Sequence, residues 1–342
     1  MTLKLKPIEE QVMVITGASS GIGLCTARMA AKRGARLVLA ARNEQALARL
    51  CDEINMTGGE CIYVTADVGR EGDIKKIEGE ALSKFKTFDT WINNAGVSIY
   101  GEMLDIATED FRRLFDTNFW GVVYGSLTAA RNLEITGGAL INVGSTLSDR
   151  AIPLQGMYCA SKHAVKGFTD ALRMELEASQ RPVSVTLVKP SAIDTPYMQH
   201  AKNYLGNEPD NGPAVYAPDA VAETILYCAE NPVRDVFVGA AGKALSVLGK
   251  YAPRLTDTLM ENVMFERLTT EQSADRRAKD GLYVSKDDSL TERGEHVGHV
   301  AESSLYTTAS LHPAITSAVA TGAALALGAG LAYSILRKNQ SH

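Results

Sequence analysis

Tyr158 and Lys162 stand four residues apart in a run, Tyr158 to Ala178, whose apolar periodicity predicts a helix. That spacing puts both side chains on one face, a turn apart, where an ammonium can bias a phenol. Ser145 follows the apolar run Ala139 to Val143, which reads as a buried strand, and can reach the same point from a loop. A hydroxyl, a phenol and an ammonium together suit proton transfer. A free tyrosine titrates near pH 10, too high for a base at neutral pH. A cation about 4 Å away contributes up to about 4 kcal/mol at an effective dielectric of about 20, enough to bring the phenol toward neutrality. Tyr-x-x-x-Lys also arises by chance on many helices, so the elements that would position it must carry the argument.

Val12 to Thr16 is a β-rich run that ends in Gly17-Ala18-Ser19-Ser20-Gly21-Ile22-Gly23, and a helical pattern from Leu24 to Arg33 stops at Gly34. Strand, glycine-rich turn and helix in that order make a phosphate site. Glycines let the backbone approach a pyrophosphate, and the helix start offers unpaired N–H groups. The second strand, Arg36 to Ala40, leads into Ala41-Arg42-Asn43. NAD-binding units place an acid there for the ribose 2′-hydroxyl; here there is none, and the fork of Arg42 suits the 2′-phosphate of NADP. Cys61 to Ala66 reads as a third strand followed by Asp67-Val68, where adenine is expected. Thr90 to Asn93 reads as a fourth, followed by the tight turn Asn94-Ala95-Gly96. Strands that alternate with helical stretches predict an α/β fold, a Rossmann-like doubly wound parallel sheet with helices on both faces. Asn118 falls mid-way in a helical stretch from Thr108 to Leu133, where asparagine is unfavourable; it is expected to bind water at a distortion.

These motifs, with Pro190 to Thr195, fall in an order that resembles the short-chain dehydrogenase/reductase family in its compact single-domain form. The resemblance covers roughly Ile8 to Gly239. It implies about seven strands and a catalytic tetrad of Asn118, Ser145, Tyr158 and Lys162. Gly17, Ser19, Ser20, Gly21, Ile22, Gly23, Arg42, Asp67, Val68, Asn94, Ala95, Gly96, Tyr158, Lys162, Pro190, Ile193 and Thr195 would hold the cofactor. In this reading Tyr158 gives or takes the proton on the substrate oxygen, Ser145 bonds that oxygen, Lys162 also holds the nicotinamide ribose, and Asn118 supports a water relay. Ser191 departs from the family, which has glycine after the proline.

After strand Val183 to Val188 comes a loop with Tyr197, Met198, Tyr204 and Tyr216, whose makeup suggests an apolar substrate; His200 reads first as a solvated loop residue and second as a substrate contact. Ala217 to Glu230 is a helix and Asp235 to Gly239 the last strand. The catalytic domain is assigned to 1–268, with a further helical stretch from Lys243 to Arg267. A polar linker occupies 269–312, and 313–338 is a candidate transmembrane or membrane-associated helix. No residue from Ala314 to Leu336 is charged, which is a spanning length, diluted by Thr, Ser, Ala and Gly.

The formal net charge of −5 argues against nucleic acid. Five scattered cysteines without a C-x-x-C pair are expected to be free core residues in a reducing compartment, and no metal site is proposed, His296 and His299 being too isolated. The expected function is an NADP(H)-dependent oxidoreductase, with NAD the second choice, that moves a hydride between nicotinamide and a carbonyl or alcohol of steroid, retinoid, lipid or xenobiotic type. The expected state is a homo-oligomer, dimer or tetramer, membrane-associated with its catalytic domain in the cytoplasm, or soluble there if the tail is no anchor. The alternative is a non-catalytic dinucleotide-sensing protein on the same fold.

Overall fold

A computed structural model describes residues 3–210, 212, 214–267, 269–273, 280–285, 290–312 and 316. The near-continuous apolar runs of the sequence become parallel strands buried on both faces, as such sheets favour, except one edge strand, Glu60–Thr65, where Glu60 and Tyr63 are exposed. The strands are β1 (Val12–Thr16), β2 (Arg36–Ala41), β3 (Glu60–Thr65), β4 (Thr90–Asn93), β5 (Gly138–Val143), β6 (Val183–Pro190) and β7 (Asp235–Val238). Their order across one sheet is β7-β6-β5-β4-β1-β2-β3, every pair parallel. The order reverses between β1 and β4, so a crevice opens beyond their carboxyl ends.

Helices cover the sheet: α1 (Gly21–Lys32), α2 (Glu44–Met56), α3 (Glu71–Phe85), α4 (Thr108–Phe115), α5 (Gly121–Thr136), α6 (Gly156–Ala178) and α7 (Pro218–Glu230). Ile74 and Ile77 of α3, Leu133 of α5, and Leu172 and Leu176 of α6 share one buried cluster with Val12, Val38, Trp91 and Val185 of the strands. On another side α1 packs on α7. Two more helices, α8 (Ala240–Tyr251) and α9 (Pro253–Arg267), follow β7.

Between α4 and α5 the chain makes a π turn, Asp116–Trp120, closed by Gly121 N–H donating to Asp116 O. The helical stretch expected from Thr108 to Leu133 is therefore two helices joined by a wide turn, with Asn118 in it.

The chain divides into two compact units, Met1–Ser304 and Leu305–His342. In the second, the described helix is Leu305–Leu311. The candidate membrane segment at 313–338 lies outside the described residues apart from Thr316, and among the described residues no helix is long and apolar enough to cross a membrane. The expected polar linker needs correction where it is described. Thr269–Ser273 pairs antiparallel with Asn207–Pro209, and Val300–Ala301 extends a small parallel sheet with Val215–Tyr216 and Ala192–Ile193. Leu282 is fully buried. Polarity misleads here because main-chain groups, polar side chains such as Tyr283 and Glu292, and one leucine, not a hydrophobic stripe, dock the segment.

The cysteines need a second correction. A turn at Thr57–Gly59, with Gly58 at φ +88°, folds β3 back along α2. It brings Cys51 and Cys61 to a Cα separation of 5.2 Å, within disulfide range, and they are bonded; Cys25, Cys159 and Cys228 are free and buried.

Candidate active site

A cavity of about 530 Å³ lies at the carboxyl ends of the strands. One wall is the turn between β1 and α1, and this turn is built on close approach. Gly17 and Gly21 have positive φ, +68° and +52°, and a Cβ at Gly23 would stand 2.2 Å from Gly17 O. Gly23 does not line the cavity; it lets α1 sit against the turn. Asn94 pins the other side: its Nδ2 donates to Thr16 O at 3.0 Å and Gly17 O at 3.2 Å, while Thr16 Oγ1 accepts from the main-chain N–H groups of Asn94 and Ala95. Ser19, Ser20, Ile22, Ala95 and Gly96 line the cavity with Gly17, Gly21 and Asn94.

Arg42 also lines the cavity. β2 stops at Ala41, and Asn43 caps α2 by accepting from Ala46 N at 3.0 Å. Arg42 is thus fixed between a strand and a capped helix, at the cavity wall with Asp67 and Val68. Asp67 accepts from Gly69 N at 3.0 Å and pairs with Arg113 Nη2 at 2.7 Å. Arg42 itself donates to two main-chain carbonyls, Gly281 O at 2.5 Å and Leu282 O at 3.1 Å. Burial first, and Arg113 second, hold its guanidinium below its ordinary pKa.

Tyr158, Lys162 and Ser145 stand at the cavity together. Ser145 ends the run beyond β5 as the cap of a short 3₁₀ turn, its Oγ accepting from Leu147 N at 3.1 Å while Ser148 Oγ accepts from Ser145 N. The Ser145 side chain faces the Tyr158 phenol and lowers its pKa, against the effect of burial. Lys162 Nζ donates to Val143 O at 2.9 Å and lies 5.7 Å from the centre of the Tyr158 ring. Burial pushes its ammonium down to about 8.

The expected lowering of the Tyr158 pKa is not found. Burial raises it, and the groups that oppose this are Ser145 and Tyr197, not Lys162. In a water-poor site the loss of phenolate solvation outweighs a cation that is itself desolvated.

Asn118 is fully buried and does not line the cavity. Its Nδ2 donates to Val97 O at 2.9 Å and Ser161 Oγ at 3.2 Å, and its Oδ1 accepts from Val97 N at 2.8 Å. Both amide hydrogens are in use, so the side chain braces the loop that follows Gly96. A water could reach only the second lone pair of Oδ1.

Beyond β6, Pro190, Ile193 and Thr195 line the cavity. The Thr195 side chain closes on the phosphate turn, and a Cβ at Gly21 would lie 3.1 Å from its Cβ. Ser191 stands where the family has glycine, with its Oγ facing the start of α8: a Cβ on Gly242 would come within 2.5 Å of it.

Three participants escaped the sequence reading. Tyr197 donates to Val97 O at 2.9 Å and stands edge-on to Tyr158 at 6.0 Å between ring centres; the aromatic loop after Thr195 was the available signal. Arg113 looked like any charge on an amphipathic helix. Residues 280–285 supply the carbonyls on Arg42, and the trace was the apolar Leu282-Tyr283 in a polar run. His200, expected first in solvent, lines the cavity, and its main-chain carbonyl accepts from Gly281 N at 2.7 Å.

Comparison with known proteins places these features in context. A family model described as short chain dehydrogenase matches residues 11–205. An uncharacterized oxidoreductase, YxnA, of Bacillus subtilis (strain 168) is 48% identical over 323 residues, which is 94% of this chain and 90% of that protein. An 11-beta-hydroxysteroid dehydrogenase A of Sesamum indicum is 37% identical over 202 residues, 58% of this chain and 57% of that one. Among solved structures, an alcohol dehydrogenase from the archaeon Thermococcus sibiricus, complexed with 5-hydroxy-NADP, aligns with a TM-score of 0.60 and 25% identity over 68% of this chain and 97% of its own. A short chain dehydrogenase/reductase from Burkholderia phymatum in complex with NAD aligns with a TM-score of 0.66, at 24% identity, over 79% of this chain and 100% of its own. That second likeness is one of fold.

Proposed function

The chain belongs to the short-chain dehydrogenase/reductase family, an oxidoreductase with a nicotinamide dinucleotide cofactor, and from that premise we propose an NADP(H)-dependent carbonyl reductase or alcohol dehydrogenase acting on an apolar substrate. The observation that carries this reading is one cavity lined by Ser145, Tyr158, Lys162 and Arg42, the last standing directly after β2 where an acid would serve NAD. The residues present fit the cofactor, since the phosphate turn is shaped by glycines whose Cβ atoms would collide with Gly17 O or Ala95 Cα. When bound, the dinucleotide supplies or takes the hydride at nicotinamide C4.

The protein's own groups handle the proton. Tyr158 carries it to or from the substrate oxygen, and the Ser145 hydroxyl holds that oxygen in place. Burial keeps Tyr158 a neutral phenol, while Lys162, at about 8, is a cation at neutral pH. A protonated phenol beside an ammonium favours giving a proton, which supports reduction as the direction near pH 7. Asn118 steadies the loop after Gly96, and Tyr197 holds the Tyr158 ring edge-on. Val97, Leu147, Ile152 and Leu245 line the cavity and support an apolar carbonyl compound; the sesame relative's name, a hydroxysteroid dehydrogenase, agrees with that class.

The test is turnover of a panel of steroid, retinoid, fatty-acyl and xenobiotic carbonyls with NADPH. Tyr158→Phe should lower kcat by at least about a thousandfold while NADPH still binds; unchanged turnover refutes the mechanism. Arg42→Ala should weaken NADPH by about tenfold to a hundredfold with NADH little affected. Equal loss on both refutes the 2′-phosphate role. Tight NADPH binding with no turnover of any carbonyl or alcohol favours a dinucleotide sensor instead.

A further inference from the structure

Residues 280–285 lie beyond the stretch that the family model matches, yet they hold the arginine on which cofactor choice rests. Arg42 Nη2 donates to Gly281 O at 2.5 Å and Nη1 to Leu282 O at 3.1 Å. Leu282 O also accepts from Arg113 Nε at 3.0 Å, so two guanidinium groups meet on one carbonyl. Like charges oppose such a meeting. The acids that face Arg42 are Asp67 and Asp280, but Asp67 bonds Arg113 at 2.7 Å and Asp280 caps Leu282 N at 2.9 Å. Arg42 is therefore held on neutral carbonyls, with no carboxylate hydrogen-bonded to it among the described residues. A guanidinium has five N–H donors in a fixed fork; two are fixed here, and three remain for another acceptor.

The segment that supplies these carbonyls is itself anchored. Leu282 is fully buried with Val97, Ile99, Leu114 and Tyr158 in one cluster. Tyr283 donates to Asp110 Oδ1 at 2.7 Å, and the same carboxylate takes Lys202 at 2.7 Å and Tyr204 at 2.5 Å. Gly281 N donates to His200 O at 2.7 Å, and a Cβ on Gly281 would stand 2.8 Å from that oxygen.

We propose that residues 281–283 are specificity-determining: they position Arg42 as the receptor for a phosphate monoester on the adenosine ribose, while Arg113, paired with Asp67, helps to hold the Leu282 carbonyl. The inference rests on the NADP reading above and adds to it that selectivity depends on the segment, not on Arg42 alone. A guanidinium fixed beforehand loses less freedom on binding a phosphate than a free one. Loosening the segment should therefore harm the phosphorylated cofactor selectively, with both arginines intact.

The experiment uses the full-length protein and compares fluorescence titrations with NADPH and NADH, and competition by adenosine 2′,5′-bisphosphate and ADP. Tyr283→Phe, a conservative change at a half-exposed residue, should weaken NADPH and the bisphosphate by about fivefold or more and leave NADH and ADP within about twofold. Leu282→Ala should do the same more strongly; if that variant fails to fold, Tyr283→Phe carries the test. A general structural role would weaken all four ligands alike, and that result overturns the proposal. If Arg42→Ala collapses the NADPH preference while Tyr283→Phe and Leu282→Ala keep it, the positioning role alone fails. If Arg42→Ala leaves the preference intact, the NADP reading beneath it fails as well.

Discussion

Lys162 should destabilise the fold that it serves. Its side chain is buried, its Nζ donates to Val143 O at 2.9 Å, and no carboxylate pairs with it among the described residues. Burial lowers its pKa from 10.5 to about 8, which by linkage corresponds to about 3 kcal/mol lost from folding at pH 7. The folded pKa lies below the unfolded one, so between about pH 8 and 10.5 the unfolded chain binds more protons. Stability should then rise with pH across that window, the full cost being present below about 8. Lys162→Met keeps an unbranched stem of similar length and removes the buried charge, while Val143 O loses a donor worth about 1 kcal/mol. The variant should be inactive yet more stable than wild type by about 2 kcal/mol at pH 7, with the gain gone near pH 10.5. Urea unfolding of both proteins at pH 7, 8.5 and 10, without added cofactor, measures this. A variant less stable than wild type at pH 7, or a wild-type stability that is flat from pH 8 to 10, would refute the reasoning.

Two further outcomes follow from the same residues and from the tail. In the direction of carbonyl reduction, kcat/KM should fall as pH rises through about 8, where Lys162 loses its proton; a profile flat to pH 10 would remove the ammonium from the mechanism. Deletion of residues 313–342, tested by flotation of cell membranes, should release the protein if the uncharged stretch from Ala314 to Leu336 is an anchor. Full-length protein that never floats would end that reading.

Much of the site was legible because its chemistry is local. A glycine-rich turn between a buried strand and a helix, an arginine where an acid would serve NAD, and a phenol and ammonium four residues apart each declare themselves within a dozen residues. The whole β1 to β7 sheet follows from short apolar runs that alternate with helical stretches. What stayed hidden was non-local. Arg42 and Leu282 are 240 positions apart, and nothing in the sequence around either says that a carbonyl of one holds the other. Asn118 was recognised as odd in a helix, but its partners, Val97 and Ser161, are fixed by packing. The Lys162 argument went astray because it counted the Coulomb attraction and left out the desolvation of both groups.

The π turn at Asp116–Trp120 has a consequence for register. A turn closed by i to i+5 bonds carries one residue more than an α-helical turn, and each residue of an α-helix advances the chain by about 100°. Leu114 and Val122 are eight positions apart and both buried; an uninterrupted α-helix would set them about 80° apart, and the wide turn absorbs the extra residue and returns them to one face. Loss of one residue from 116–120 would leave them seven apart, again on one face of a continuous α-helix, so α4 and α5 would stay in phase. What would be lost is the widened turn that aims Asn118 at Val97 and Ser161. A one-residue deletion there should therefore cost activity more than stability.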